Sequence, residues 1–287
     1  MFCWKCGAEN KEGSNYCSKC GAYLSSGRTK PEMVVSQISV AYPEAEDLHL
    51  KIRAGGCRFK IKPGDGMEWV SGTYEYPSGM RATKIDRKGG TVKLTQEHDV
   101  GDLGGYFSGV PQFELTLGKT RPYMLTLEIG ASESSFDLGG LPINHLVIKQ
   151  GAGKVDFDFS APNPQAMTSL NLTAGAVNME MKNLANANFS DMIVDGGAAS
   201  YKFDFGGVLQ RNAQVKITAG VSSVEIHVPS STSARIVSKT TLGGLDIGDG
   251  FTKKEGAFST EAALARKDPI LAIFASVTLG SLILRTK

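Results

Sequence analysis

The chain has 287 residues, 41% of them hydrophobic and 21% charged, which is the make-up of one large or two modest globular domains and excludes a disordered chain. Its formal net charge of +2 lacks the basic excess from which dedicated nucleic-acid proteins draw their nonspecific attraction. With 34 glycines against 11 prolines and no collagen period, it reads as many short strands joined by many turns.

No basic segment followed by an apolar run opens the sequence, so no secretory signal is expected, and a reducing, cytoplasmic setting follows for its thiols. Residues 1–24 carry the most specific local motif: Cys3 and Cys6 followed by Gly7, then Cys17 and Cys20 followed by Gly21. Two C-x2-C-G knuckles supply four thiolates, the tetrahedral set of a zinc ribbon. Disulfides or a redox pair would use the same cysteines, but a reducing compartment favours the metal. Four ligands close the coordination sphere, which gives the zinc a structural role. So small a module has no core, so metal binding and folding are expected to be one event. Lys5, Lys11, Lys19, Arg28 and Lys30 outnumber Glu9 and Glu12 here, which keeps a nucleic-acid-binding ribbon as an alternative; solvated lysines are the plainer account. Trp4 and Tyr16 are expected to pack the knuckles.

Residues 25–32, which include the polar run SSGRTKP, read as a linker, and residues 33–287 as a single all-β domain. The alternating stretch from Met33 to Val40 is expected as an edge strand or tether. In LHLKIRAGGCRFKIKPG, Leu48, Leu50, Ile52, Cys57, Phe59 and Ile61 share one face, and His49, Lys51, Arg53, Arg58, Lys60 and Lys62 the other. Cys57 is therefore expected to be a buried core thiol. WVSGTYEY, TKIDRKGGTVKLTQE and FELTLGK read as further strands.

Across residues 125–229 one phrase recurs five times, at a period of about 21 to 23 residues, as LTLEIGASESSFDLGGL, LVIKQGAGKVDFDFSAP, LNLTAGAVNMEMKNL, MIVDGGAASYKFDFGG and VKITAGVSSVEIHVP. Each copy has an alternating run, a glycine read as a turn, and a second alternating run. Val155, Phe157 and Phe159, then Val177, Met179 and Met181, then Val215, Ile217, Val224, Ile226 and Val228 are expected inside. One such unit cannot cover its own apolar face, so the copies must stack rung on rung as a β-solenoid. Outward on successive rungs come Asp137, Asp156, Asp158, Glu180, Asp204 and Glu225. They form a column that could attract cations, but Lys154, Lys182 and Lys202 are interspersed, as on a mixed solvated face.

The succession LHLKIRAGGCRFKIKPGDGMEWVSGTYEY, GGTVKLTQ and the first two copies resembles the LiaF-like or toastrack family of cell-envelope-response proteins and the related adhesin-like β-helix domains. VSSVEIHVPSSTSARIVSKTTLGGLDI and ASVTLGSLILR resemble endings in that family. The likeness spans roughly residues 45–287 and rests on repeat consensus; it implies a β-solenoid and a role near envelope stress sensing or assembly, with no catalytic residues to carry over. Many such proteins set the solenoid behind transmembrane helices, whereas here a zinc ribbon stands in that place.

Toward the end, STEAALAR is expected to form a helical turn capped by Ser259 or Thr260, or else a loop. The apolar run 269–284, about 16 residues interrupted by Ser276, Thr278, Gly280 and Ser281, is short and polar for a bilayer span. It reads as two strands around Gly280 that cap the open end of the stack. His49, His98, His145 and His227 show no metal spacing, and no nucleophile elbow or phosphate loop is found. Taken together, the sequence points to a non-enzymatic interaction or scaffold protein, cytoplasmic and at most peripheral to a membrane. Its protein partners are unidentified, and self-association through exposed strand edges, as in an adhesin-like assembly, is a further expectation.

Overall fold

The computed structural model describes residues 1–3, 6–24, 32–97 and 109–287. Trp4, Lys5, Arg28, Lys30, His98 and nearly all of the expected linker lie outside them. The large unit is built from β1 (Met33–Val40), β2 (His49–Ala54), β3 (Cys57–Gly64), β4 (Val70–Pro77), β5 (Lys84–Lys88), β6 (Thr91–Thr95), β7 (Gln112–Gly118), β8 (Tyr123–Asp137), β9 (Ile143–Asp158), β10 (Met167–Lys182), β11 (Phe189–Gly196), β12 (Ala199–Asp204), β13 (Ala213–Val228), β14 (Ser233–Ile247), β15 (Thr252–Lys254), β16 (Ala257–Ser259) and β17 (Ile270–Thr286). A 3-10 turn at Leu184–Ala187 and one α-helical turn, α1 (Glu261–Leu264), interrupt them, with the Thr260 hydroxyl accepting from the Ala263 N–H as the cap of α1.

The long strands stack in parallel. β8 lies between the β2–β3 pair and β9, and β10, the β11–β12 pair and β13 follow in register. Equivalent inward residues therefore sit above one another. Val92, Leu50, Leu125, Leu146, Leu170, Met192, Val215, Ile273 and Ile236 form one such column, every member buried. Each side chain contributes roughly 2 kcal/mol when fully buried, a gain that a rung in isolation cannot realise. The inward sets expected from residue parity, from Leu48 to Val228, are all buried.

In four of the five copies the recurring glycine is a corner within one strand, not a turn between two; in the fourth, Gly196 ends β11 and Gly197 lies between it and β12. β8, β9, β10 and β13 each run unbroken through it. In β8 the inward series ends at Ile129 and resumes at Ser132, so Gly130 and Ala131 both face away from the core and the strand changes direction. The corners are stacked backbone on backbone: a Cβ on Gly151 would lie 2.9 Å from the Gly130 carbonyl oxygen, and one on Gly175 2.4 Å from that of Gly151. Inside the bend, the buried Gln150 amide donates to the carbonyls of Gly130 and Ala152 and to the Ser132 hydroxyl.

The segments between strands close the remaining side of the stack with buried asparagines. Asn163 Nδ2 donates to the carbonyls of Ile143 and Ala187, Asn186 Nδ2 to that of Phe159, and Asn188 Nδ2 to those of Asn163 and Gln165. These bonds satisfy irregular backbone that would otherwise be buried without partners.

Two expectations about the ends need correction. β17 is one continuous strand through Gly280, and it does not cap the stack: it lies between β13 and β14, parallel to both. The outermost rung is β14. The segment before α1 contains the β15–β16 hairpin, which turns at Glu255 and Gly256, both with positive φ, and pairs with Arg235 and Ile236 at the start of β14. At the opposite end β1 and β5 are the edge strands, antiparallel to β4 and β6.

The corner geometry sets a mutational contrast. Gly153 combines φ +112° with a Cβ position 1.9 Å from the Ser132 carbonyl oxygen, whereas a Cβ on Gly66 meets nothing closer than 4.0 Å. Gly153→Ala is expected to destabilise the stack by about 3 kcal/mol, and Gly66→Ala by less than about 0.5 kcal/mol, as read from urea midpoints at constant m.

Candidate metal centre

The four N-terminal cysteines converge. Their sulfur atoms all lie within 4.8 Å of one another, with Cys3 Sγ 3.7 Å from Cys20 Sγ and Cys6 Sγ 3.6 Å from Cys17 Sγ. These separations rule out disulfides, whose S–S bond is about 2.0 Å. A tetrahedral metal with bonds of about 2.3 Å to sulfur has S···S edges of about 3.8 Å, so the thiols already stand at the corners such an ion requires. They form a metal-binding site.

The two knuckles are built alike. Gly7 and Gly21 adopt φ 69° and 67°, which folds their N–H groups back onto the carbonyls of Cys3 and Cys17, each at 2.9 Å. The N–H of Cys3 donates to the Ala8 carbonyl and that of Cys17 to the Ala22 carbonyl. Asn10 locks the knuckles together: its amide donates to Cys17 Sγ and to the Ala8 carbonyl, and its oxygen accepts from the N–H and hydroxyl of Ser18. Cys3, Cys17 and Leu24 make up the small apolar centre. Tyr16 rests edge-on against Tyr23 with ring centroids 5.2 Å apart, its ring largely exposed.

The electrostatics favour a cation. Burial acts to raise the Cys17 thiol, but the N–H groups of Cys20 and Lys19 and the Asn10 amide outweigh it and bring it down to about 6. For Cys6 the balance is reversed: the Ala8 N–H acts to lower it, and the neighbouring thiols push it up. The metal-free site thus holds a thiolate beside a thiol, and a divalent cation would displace the remaining protons.

Among the described residues no other His, Cys, Asp or Glu joins this centre. Cys57 is buried in the stack, where desolvation pushes its thiol from 9.0 to about 12. His49 Nε2 meets the Thr126 hydroxyl, His145 Nδ1 the Ser169 hydroxyl, and His227 Nε2 the Glu225 carboxylate at 2.6 Å. The acidic column is internally compensated: register aligns Asp156, Glu180, Lys202 and Glu225 across successive rungs. Glu180 pairs with Lys182 and Lys202, Asp156 with Lys154, and Asp204 with Lys287. Asp137 accepts from the Gly139 N–H and the Ser160 hydroxyl, and Asp158 from Asn183. Apart from Asp204, which is buried and also accepts from the Gly206 N–H, this is a solvated, charge-matched face. Sequence reasoning missed Asn10, although an asparagine between paired knuckles is a ready backbone partner.

Residues 28–167 match the family described as the N-terminal domain of toast_rack, DUF2154, and residues 2–24 match the zinc-ribbon domain. The chain carries a toast-rack domain behind a zinc ribbon. The toast-rack match ends at the start of β10, and the stack continues in the same register beyond it. No curated protein matches this chain. Among solved structures, a "putative cell adhesion protein" from Clostridium sporogenes ATCC 15579 is similar with a TM-score of 0.48 at 16% identity, covering 90% of this chain and 100% of that one. A "putative adhesin" from Bacteroides fragilis NCTC 9343 gives 0.41 at 13% identity, covering 89% of this chain and 97% of the other. Among the described residues no helix is long and apolar enough to cross a membrane.

Cys57 gives this toast-rack domain a measurable alkaline signature. Between pH 9 and about 12 the folded chain keeps a thiol proton that the unfolded chain has lost, so stability falls as pH rises through that window. Cys57→Ala is expected to flatten this loss by up to about 1.4 kcal/mol per pH unit. Some slope remains, because burial also raises Tyr123 and Tyr201. Chelated native protein is expected to yield four thiols to Ellman's reagent at neutral pH and the fifth only in denaturant.

Proposed function

We propose that this protein is a non-enzymatic interaction scaffold, in which a structural zinc ion folds the ribbon and the toast-rack stack presents a rigid surface to a protein partner. The observation that carries this reading is the geometry of Cys3, Cys6, Cys17 and Cys20: four thiols at tetrahedral separation occupy every position of a four-coordinate ion and leave none for a substrate. All-sulfur ligation of this kind selects zinc over hard cations. The flat outer faces, with ion pairs running along and across rungs, fit a platform better than a cleft.

The setting we propose is the cytoplasmic side of the bacterial envelope, in a stress-response or membrane-associated complex. Its basis is the toast-rack match together with the cysteine chemistry, which requires a reducing compartment.

Purified protein is expected to hold one zinc per chain, and cobalt exchange should give the intense thiolate-to-metal absorption of a four-sulfur site. Cys3→Ser/Cys6→Ser should lose both, while the toast-rack unfolding transition stays in place. A pull-down comparing the wild type with that variant then locates recognition: a partner lost with the metal binds the ribbon, and one retained binds the stack. Turnover of a substrate by the purified chain would overturn the reading. Salt-dependent retention of DNA or RNA would replace it with a nucleic-acid-binding ribbon.

A further inference from the structure

The two arms that meet at the corner carry different charge on their outer faces. The arm after the corner bears the acidic column. The arm before it runs from β5 through β6, β2, β8, β9, β10, β11, β13 and β17 to β14, and register sorts its outward residues into three columns. At about 4.8 Å per rung this face is roughly 43 Å long. Its carboxylates are Asp86, Glu128, Asp191 and Asp195, and two of them are engaged within the face, Asp86 by Lys84 and Glu128 by Arg53 and Lys149. Lys51, Lys88, Lys93, Lys216 and Lys239 have no carboxylate partner among the described residues. Lys93 even lies directly beside Lys51 in register, like charge against like, an arrangement that costs stability.

The middle column turns apolar toward β14. Ile193, Lys216, Phe274 and Val237 follow one another on adjacent rungs, and Ile193, Phe274 and Val237 are 41%, 42% and 39% exposed. Arg235 and Lys239 stand on either side of Val237 on its own strand. Outward positions of a solvated sheet are ordinarily polar, so a row of large apolar side chains set among lysines marks a binding surface.

We propose that this face lies against an anionic lipid bilayer, with its unpaired lysines at the headgroups and Phe274 and Val237 entering the interface. Charge and apolarity are complemented together by such a surface, since the leaflet offers negative charge to the lysines and an apolar boundary to the row beside them. A nucleic acid would meet the lysines and leave Ile193, Phe274 and Val237 against phosphates. The acidic column, on the other arm, then points away from the leaflet, which fixes the orientation of the stack. The inference rests on the membrane-associated setting proposed above and gives it a surface on this chain.

Co-sedimentation of the zinc-loaded full chain with mixed phosphatidylglycerol and phosphatidylcholine vesicles tests it, with phosphatidylcholine alone as the comparison. Binding is expected on the anionic vesicles only, and it should fall as salt is raised. Lys51→Gln/Lys93→Gln should weaken it about twentyfold or more, since each basic residue near an anionic leaflet is worth about fivefold, with no loss of melting temperature. Phe274→Trp should give emission that shifts to the blue when the vesicles are added. Lys154→Gln/Lys182→Gln, the same change of charge on the other arm, should alter binding by less than about threefold. Absence of binding to the anionic vesicles overturns the proposal. So does binding that Lys51→Gln/Lys93→Gln leaves intact, that the other-arm variant weakens equally, or that Cys3→Ser/Cys6→Ser abolishes. The vesicles contain no partner protein, so failure here leaves the scaffold reading to its own pull-down.

Discussion

At the corners of β9, β10 and the β11–β12 pair, neighbouring backbones approach so closely that a methyl group cannot enter. Gly130, Gly151 and Gly175 lie over one another, each within contact distance of the carbonyl below, and Gly197 continues the series above Gly175. Everything else in the toast-rack domain is arranged around that column. Because the corners coincide, the two arms of every rung leave the bend in the same direction, and the inward residues of one rung fall on those of the next. Were the corners spread apart by side chains, Leu146 could not rest on Leu125 and Phe157 could not rest on Phe136.

The two parts of the chain solve the same problem by different means. The stack obtains its order from apolar columns that repeat from rung to rung, and on the arm of the acidic column its outward charges neutralise one another along and across strands. Among its described residues the ribbon has three buried apolar side chains and no comparable core. Its order rests on two matched backbone knuckles, with Asn10 joining them and four sulfurs aimed at one point. In the first case cohesion is distributed over dozens of side chains; in the second it converges on one four-sulfur metal-binding point.

Much of this was legible in the sequence because alternation reports facing directly. The inward assignments of Val155, Met179 and Ile226 needed only the parity of a strand, and the four cysteines announced their site by spacing alone. The glycines misled, since the same residue marks a turn where the chain reverses and a corner where backbones crowd, and local sequence does not distinguish the two. Strand order was also hidden. Val215, Ile273 and Ile236 present interchangeable apolar faces, so nothing in the pattern says that β17 rather than β14 lies against β13. The asparagines at 163, 186 and 188 escaped notice because their partners are carbonyls of other rungs, 20 to 27 residues away in sequence.

The placement of β17 has a consequence for how the polypeptide is made. During synthesis β14 leaves the ribosome before the strand that joins it to β13 exists, and it has no site to occupy until residues 270–286 have emerged. The toast-rack domain therefore cannot be completed progressively from its amino-terminal end. Its last rung must wait beside an unfinished edge, and the final strand is the wedge that locks both neighbours into place.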